Sequence, residues 1–202
     1  MRTAVQTVEI REAILNATDD FLARFGYRKM TIDDLAQAVG IGKGSIYLHF
    51  ASKEEIALSH VDRIVERLKS ELKIIAAKNT SPENRLRQML LTRVLHRFDS
   101  VQHYTQSLDD ILSAIRPKLL ARRKNYFEEE AEIFAAVVKE GQTEKIFQSG
   151  DALEISRTFL LATNSLLPLS LTTQELGLRD DIESKTLRIA DLLLKGIKQI
   201  QF

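Results

Sequence analysis

The 202-residue sequence contains no cysteine and no tryptophan. Without cysteine there is no disulfide framework, no thiolate metal site and no cysteine nucleophile. Proline is scarce, at positions 82, 117 and 168 only, and aromatic side chains make up 6%. Neither sign of charge dominates: 29 Lys+Arg face 28 Asp+Glu, a formal net charge of +1. Bulk charge therefore announces no nucleic-acid partner, and such a reading has to rest on local pattern. No stretch approaches the roughly 18 consecutive apolar residues that span a bilayer. Met1 to Leu15 carries Glu9, Arg11 and Glu12 among scattered apolar residues, which is no signal-peptide core. These absences lead to the expectation of a cytoplasmic protein with no membrane partner. The 44% of hydrophobic residues is enough for a core and argues against disorder.

What the sequence has is helical periodicity. Apolar residues recur at Ile10, Ile14, Ala17, Phe21, Leu22 and Phe25, one stripe at helical spacing that ends at Gly26. Thr31 reads as the N-cap of a short second helix, with Asp33 and Asp34 in its first turn, closing at Gly40. A third short helix is expected over Lys43 to Phe50. Ser52 and Glu55 read as a capping box that opens a long helix to about Lys78. Further helices are expected from Ser81-Pro82, over Thr105 to Ile115, from Pro117 to Glu140, from Asp151 to about Leu171, and over Arg179 to Gln199. Ser100 and Val101 are expected to end the helix that begins at Ser81-Pro82. No strand pattern, repeat or low-complexity segment is seen. The fold class is all-α, with about nine helices.

The segment from Thr31 to Phe50, TIDDLAQAVGIGKGSIYLHF, carries the most information. Ala36 is small where two helices must cross, Gly40 sits at the corner, and Ile41 can plug the space between them. Two helices joined by a short turn with glycine form a helix-turn-helix, whose second helix can enter a major groove. Its exposed residues are expected to be Lys43, Gly44, Ser45, Tyr47, Leu48 and His49. Charge gives mild support: the net is +2 over residues 28–53 and −1 over residues 1–60. A dimer pooling phosphate contacts would supply affinity, and binding would fall with salt.

Other motifs fail. Gly40-Ile41-Gly42-Lys43-Gly44-Ser45 is not a phosphate loop, because Gly44 rather than Ser or Thr follows Lys43 and Ala38 stands where glycine is needed. Ser45 occupies the third glycine position of a dinucleotide loop. The four histidines (49, 60, 96 and 103) offer no converging ligand set, so no metal and no cofactor is expected. No organised acid, base and nucleophile appears, and the chain is not expected to be an enzyme. Asp109-Asp110 and Glu128-Glu129-Glu130 read as solvated helix faces.

Thr31 to Ile56 resembles the DNA-binding segment of the tetracycline-repressor (TetR) family of bacterial regulators. The resemblance is carried by Thr31, Leu35-Ala36, Gly40, Ile41, Tyr47-Leu48-His49-Phe50 and Lys53, with Phe25-Gly26-Tyr27 upstream. It implies phosphate contacts from Thr31, Tyr47, His49 and Lys53, and base-edge reading from Lys43, with Gly44 and Ser45 close to the bases. Gly42 stands where the family often places a serine cap, which removes one side-chain contact. Asp33 places an acid near the expected DNA backbone. The DNA-binding domain is expected at residues 1–55.

Residues 56–202 are expected to bind an effector and to dimerise. Leu192 to Leu194 and Phe159 to Leu161 spread apolar surface over more than one stripe. A second copy of the chain, or a larger internal core, would cover it. Polar groups within apolar patterns (Arg93, Arg97, Tyr104, Asn125, Tyr126 and Asn164) are candidates for a small-molecule pocket. The expected function is a ligand-responsive, DNA-binding transcriptional regulator that a small molecule releases from its operator, with the long helix after Lys53 as lever. The alternative is a helical ligand-binding or scaffold protein that does not bind DNA.

Overall fold

Capping residues set where the helices of this chain begin. In a computed structural model, which describes residues 4–102, 108–168 and 177–199, α1 spans Ala4–Arg24 and α2 Gly26–Lys29. Helix α3 is Ile32–Val39, α4 Lys43–Tyr47, α5 Lys53–Ala76 and α6 Pro82–Val101. Helix α7 is Leu108–Thr143, α8 Ala152–Thr163 and α9 Arg179–Ile197. Thr31, Ser81 and Asp151 cap α3, α6 and α8 by accepting backbone N–H groups with their side chains. Ser52 Oγ accepts the Glu55 N–H at 3.2 Å at the start of α5. The architecture is all-α, with nine α-helices among the described residues.

That number equals the expected one, but the helices differ. The two expected over 105–140 are one helix, α7, which contains Pro117 and does not stop at it. Proline removes the bond to the carbonyl four residues back and crowds that carbonyl, and Ser113, which bears it, is solvent-exposed. Helix α6 ends at Val101, as expected, with Ser100 inside its last turn and the Ser100 hydroxyl donating to the His96 carbonyl at 2.6 Å. Helix α8 is shorter than expected. It gives way to a 3₁₀ turn at Asn164–Leu166 and an extended Leu167, the conformation that the following Pro168 imposes. The unforeseen α2 is a single turn.

The chain forms two compact units. The first consists of the described residues of Met1–Ile64 and His103–Leu120, the second those of Val65–Gln102 and Ala121–Phe202. In the first, Ile14, Leu15, Met30, Leu35, Ile46, Phe50, Ile56 and Leu58 are buried. Arg63 of α5 fastens α1 by donating to the Leu15 carbonyl at 2.9 Å and to Asn16 Oδ1 at 2.7 Å. Arg11 of α1 lies 4.8 Å from the centre of the Phe50 ring and donates to Ser59 Oγ at 3.1 Å. Arg28 of α2 pairs with Asp110 of α7 at 2.8 Å.

The core of the second unit gathers Leu68, Leu72, Leu86, Met89, Leu90, Phe134, Val138, Phe147, Phe159 and Leu194. An ionic cluster is buried beside it. Glu130 accepts from Arg93 Nε at 2.8 Å and from Arg97 Nη2. Arg93 also donates to the Leu160 carbonyl at 3.2 Å, Thr163 Oγ1 at 2.8 Å and Asn164 Oδ1 at 2.9 Å. Glu130 is fully buried and is no solvated helix face. Burial alone would raise its pKa, but the charges of Arg97 and Arg93 and their hydrogen bonds hold it below the ordinary 4.5. Burial, then the like charge of Arg97, pulls Arg93 down to about 10, so it stays charged at neutral pH. Asp110, too, is half-buried and ion-paired.

Candidate nucleic-acid interface

Residues 31–53 fold as a capped helix, a tight glycine corner and a second short helix. Thr31 Oγ1 accepts the Asp34 N–H at 3.1 Å, and Asp34 Oδ2 accepts the Thr31 N–H at 3.2 Å, a reciprocal capping box. At the other end of α3, Gly40 takes φ +71, a left-handed conformation that side chains resist. The Ile41 N–H then reaches the Ala36 carbonyl at 3.0 Å and the Gly40 N–H the Gln37 carbonyl at 3.1 Å. This double bond pattern ends the helix and turns the chain. Gly42 starts α4 in extended backbone, with no side-chain cap. Leu35, Ala36 and Ile46 are buried beneath.

Seven of the residues expected to meet DNA, all but Lys53, divide into three groups. Lys43, Gly44 and Tyr47 stand exposed on one side of α4, with Tyr47 at 50%. Thr31 and Gly42 are exposed beside them, but the Thr31 hydroxyl donates to Asp34 Oδ2 at 2.6 Å. Ser45 of α4 and His49, two residues past its end, are half-buried rather than exposed, next to the buried Ile46 and Phe50. His49 Nε2 is buried with no hydrogen-bond partner among the described residues.

Three features of the site lie beyond the reach of sequence spacing. Lys43 Nζ donates to Asp33 Oδ2 at 2.7 Å, across the corner. That hydrogen bond, and the charge behind it, raises the Lys43 pKa. The Asp33 acid is thus neutralised by the lysine expected to read bases. Lys53 Nζ lies 4.3 Å from the centre of the Tyr27 ring and donates to the Arg28 carbonyl at 3.4 Å. Burial lowers the Lys53 pKa, with the Glu54 charge opposing. The third is the Arg28–Asp110 pair. Replacing Asp33 by Asn leaves Lys43 without an opposing charge and removes one phosphate-repelling charge. Were α4 to meet DNA, affinity would rise about three-fold at low salt, with the gain shrinking as salt is added. Titration at several salt concentrations checks this.

The expected effector residues do not converge on a cavity as a set. Arg93, Arg97 and Asn164 are spent on the Glu130 cluster, because a buried guanidinium must have its donors satisfied. Asn125 is exposed, Tyr126 is half-buried, and Tyr104 lies outside the described residues. A cleft of about 510 Å³ is lined instead by Glu71 of α5, Leu91, Leu95, His96 and Asp99 of α6, and Arg179 of α9. His96 Nδ1 lies 3.2 Å from Glu71, and Arg179 Nε donates to Asp99 at 2.9 Å. Among the described residues no cluster of metal-ligating side chains occurs, and no helix is long and apolar enough to cross a membrane.

Residues 14–59 match the family described as bacterial regulatory proteins, tetR family. Over 103 residues the chain is 29% identical to the HTH-type transcriptional repressor KstR2 of Mycobacterium tuberculosis, covering 51% of this chain and 50% of that one. Over 98 residues it is 33% identical to the HTH-type transcriptional activator FasR of Mycolicibacterium smegmatis, covering 48% and 43%. The chain thus spans about half the length of the curated relatives it matches. A transcriptional regulator from Cytophaga hutchinsonii shares the fold, with a TM-score of 0.76 at 22% identity over 93% of this chain and 97% of that one.

Proposed function

We propose that the chain, whose residues 14–59 match the family described as bacterial regulatory proteins, tetR family, is a ligand-responsive DNA-binding transcriptional regulator. It binds operator DNA through residues 1–55, and binds a small-molecule effector and dimerises through residues 56–202. The observation that carries this is the α3–corner–α4 unit, which buries Leu35, Ala36 and Ile46 while leaving Lys43, Gly44 and Tyr47 in solvent. Lys43 reads base edges, and Thr31, Tyr47, His49 and Lys53 hold phosphates, with Gly42, Gly44 and Ser45 close to the duplex. Two copies of α4 meet half-sites one helical turn, about 34–36 Å, apart on a near-palindromic operator.

Leu161, 61% exposed on α8, and Leu192, 71% exposed on α9, supply apolar surface for a two-fold partner. The effector acts by favouring a conformer whose two recognition helices are wrongly spaced; this requires different affinity for the two conformers. Helix α5 runs without a break from Lys53 beside α4 to Ala76 and is the lever. The cleft at Glu71, Leu95 and His96 has the volume of a small-molecule site. Repression, as in the name of KstR2, is the sign we assign.

The test replaces Lys43 and Tyr47 by Ala. Operator sites are selected from random duplexes with the wild-type protein. Each replacement is expected to weaken binding about 10- to 100-fold while the protein stays folded and dimeric. Unchanged affinity in both variants would overturn the proposal.

A further inference from the structure

Leu48 is the most exposed large apolar side chain among the described residues, at 78%. It caps the C-terminal end of α4 and gives nothing to the core, which Ile46 and Phe50 on either side fill. Side chains four apart on a helix stand one above the other, so α4 shows two parallel rows. One is Lys43 and Tyr47, a cation and a phenol. The other is Gly44 and Leu48. A Cβ added at Gly44 would meet nothing within 4 Å, so the fold does not require the glycine, and the space beside Leu48 is open. The second row is a bare backbone followed by a branched apolar group.

Almost every group on a base edge in the major groove is a hydrogen-bond donor or acceptor; the 5-methyl of thymine is the apolar one. We propose that Leu48 reads thymine methyl groups and is a specificity-determining residue, an assignment that rests on the DNA binding proposed above. Lys43 supplies the polar half of the recognition code, and Leu48 selects thymine over cytosine at a neighbouring position. Gly44 lets α4 settle deep enough for the leucine to reach.

The experiment uses the full chain and a duplex selected from random sequence. A second duplex carries deoxyuridine in place of every thymidine, which removes the methyl groups and keeps base pairing. Wild type, Leu48→Ala and Lys43→Ala are titrated on both. Wild type is expected to bind the uracil duplex about four-fold more weakly per half-site, the effect of losing one buried methyl contact. Leu48→Ala is expected to bind both duplexes alike, near the wild-type affinity for the uracil form. Lys43→Ala is expected to be weaker on both and to keep the difference between them. A wild type indifferent to the methyl groups overturns the assignment, and so does a Leu48→Ala variant that keeps the full difference. Failure of wild type to bind any duplex overturns the DNA-binding function itself, and the role of Leu48 with it.

Discussion

Replacing Glu130 by Ala is expected to destabilise the protein by about 3–5 kcal/mol, because it leaves two guanidinium groups facing each other without their shared anion. Arg93 is buried, and its other partners, Thr163, Asn164 and the Leu160 carbonyl, are neutral acceptors. They satisfy hydrogen bonds but not charge. Arg97 is less buried than Arg93 and takes part of the relief from water, which keeps the loss within this range. Denaturant unfolding followed by helix circular dichroism measures it; a loss below about 1 kcal/mol would mean that the cluster contributes little. Replacing all three charges with apolar residues of similar volume is expected to recover most of the loss, since the cost lies in an unmatched charge.

The same cluster sets a pH dependence. The Glu130 pKa is held below the ordinary 4.5 in the folded chain. A carboxylate so depressed binds protons more weakly folded than unfolded. Its contribution is present above the ordinary value and is lost as pH falls through the folded one. The wild type should therefore lose stability below about pH 4.5 more steeply than Glu130→Gln, which has no proton to take up there.

Phe147→Ala is expected to cost about 3–5 kcal/mol, the usual penalty for emptying a fully buried aromatic site. The more informative experiment joins it to Gly141. A Cβ at Gly141 would stand 2.3 Å from Phe147 Cδ2 and 2.4 Å from Cε2. The Phe147 N–H also bonds the Gly141 carbonyl at 3.1 Å, so the ring lies directly on the backbone of α7. Alanine at 141 gains about 1 kcal/mol of helix propensity. It loses more to the clash, because the ring is walled in by a close-packed core, and the net is a destabilisation of about 1–3 kcal/mol. In the Phe147→Ala background the obstacle is gone and only the propensity remains. Gly141→Ala should then turn stabilising, and this reversal of sign in a double-mutant cycle is the expected result. Additive effects would show that the two residues are independent.

The helix-turn-helix was legible because its signals are local. Thr31 caps the helix that immediately follows, and Gly40 takes the left-handed angle of the corner it marks. Leu35, Ala36 and Ile46, apolar at helical spacing on either side of the corner, are all buried. Glu130 was misread for the opposite reason. Three consecutive glutamates look like a solvated face, and only the fold brings Arg93 and Arg97 to the third of them. Pro117 misled in another way: proline after an apolar helix resembles a start signal, whereas α7 accommodates it where the carbonyl it leaves unbonded can face water. The Lys43–Asp33 pair spans ten residues and a corner, a separation at which no periodicity applies. The polar residues 93, 97 and 164 stand within apolar patterns, and in the fold Arg93 and Arg97 bond Glu130 while Asn164 accepts from Arg93. Their partner proved to be the core itself.

The N-terminal unit is assembled from two stretches of chain that are far apart in sequence. Ile111 and Ile115 are buried, and Asp110 holds Arg28 at 2.8 Å. A gene fragment cut at residue 55 ends three residues into α5, keeps Arg28 and lacks Asp110, Ile111 and Ile115. Transplanting the N-terminal unit onto another chain is therefore not a matter of exchanging a leading segment. The donor has to supply residues 108–120 as well, or the transplanted head arrives without its own buttress.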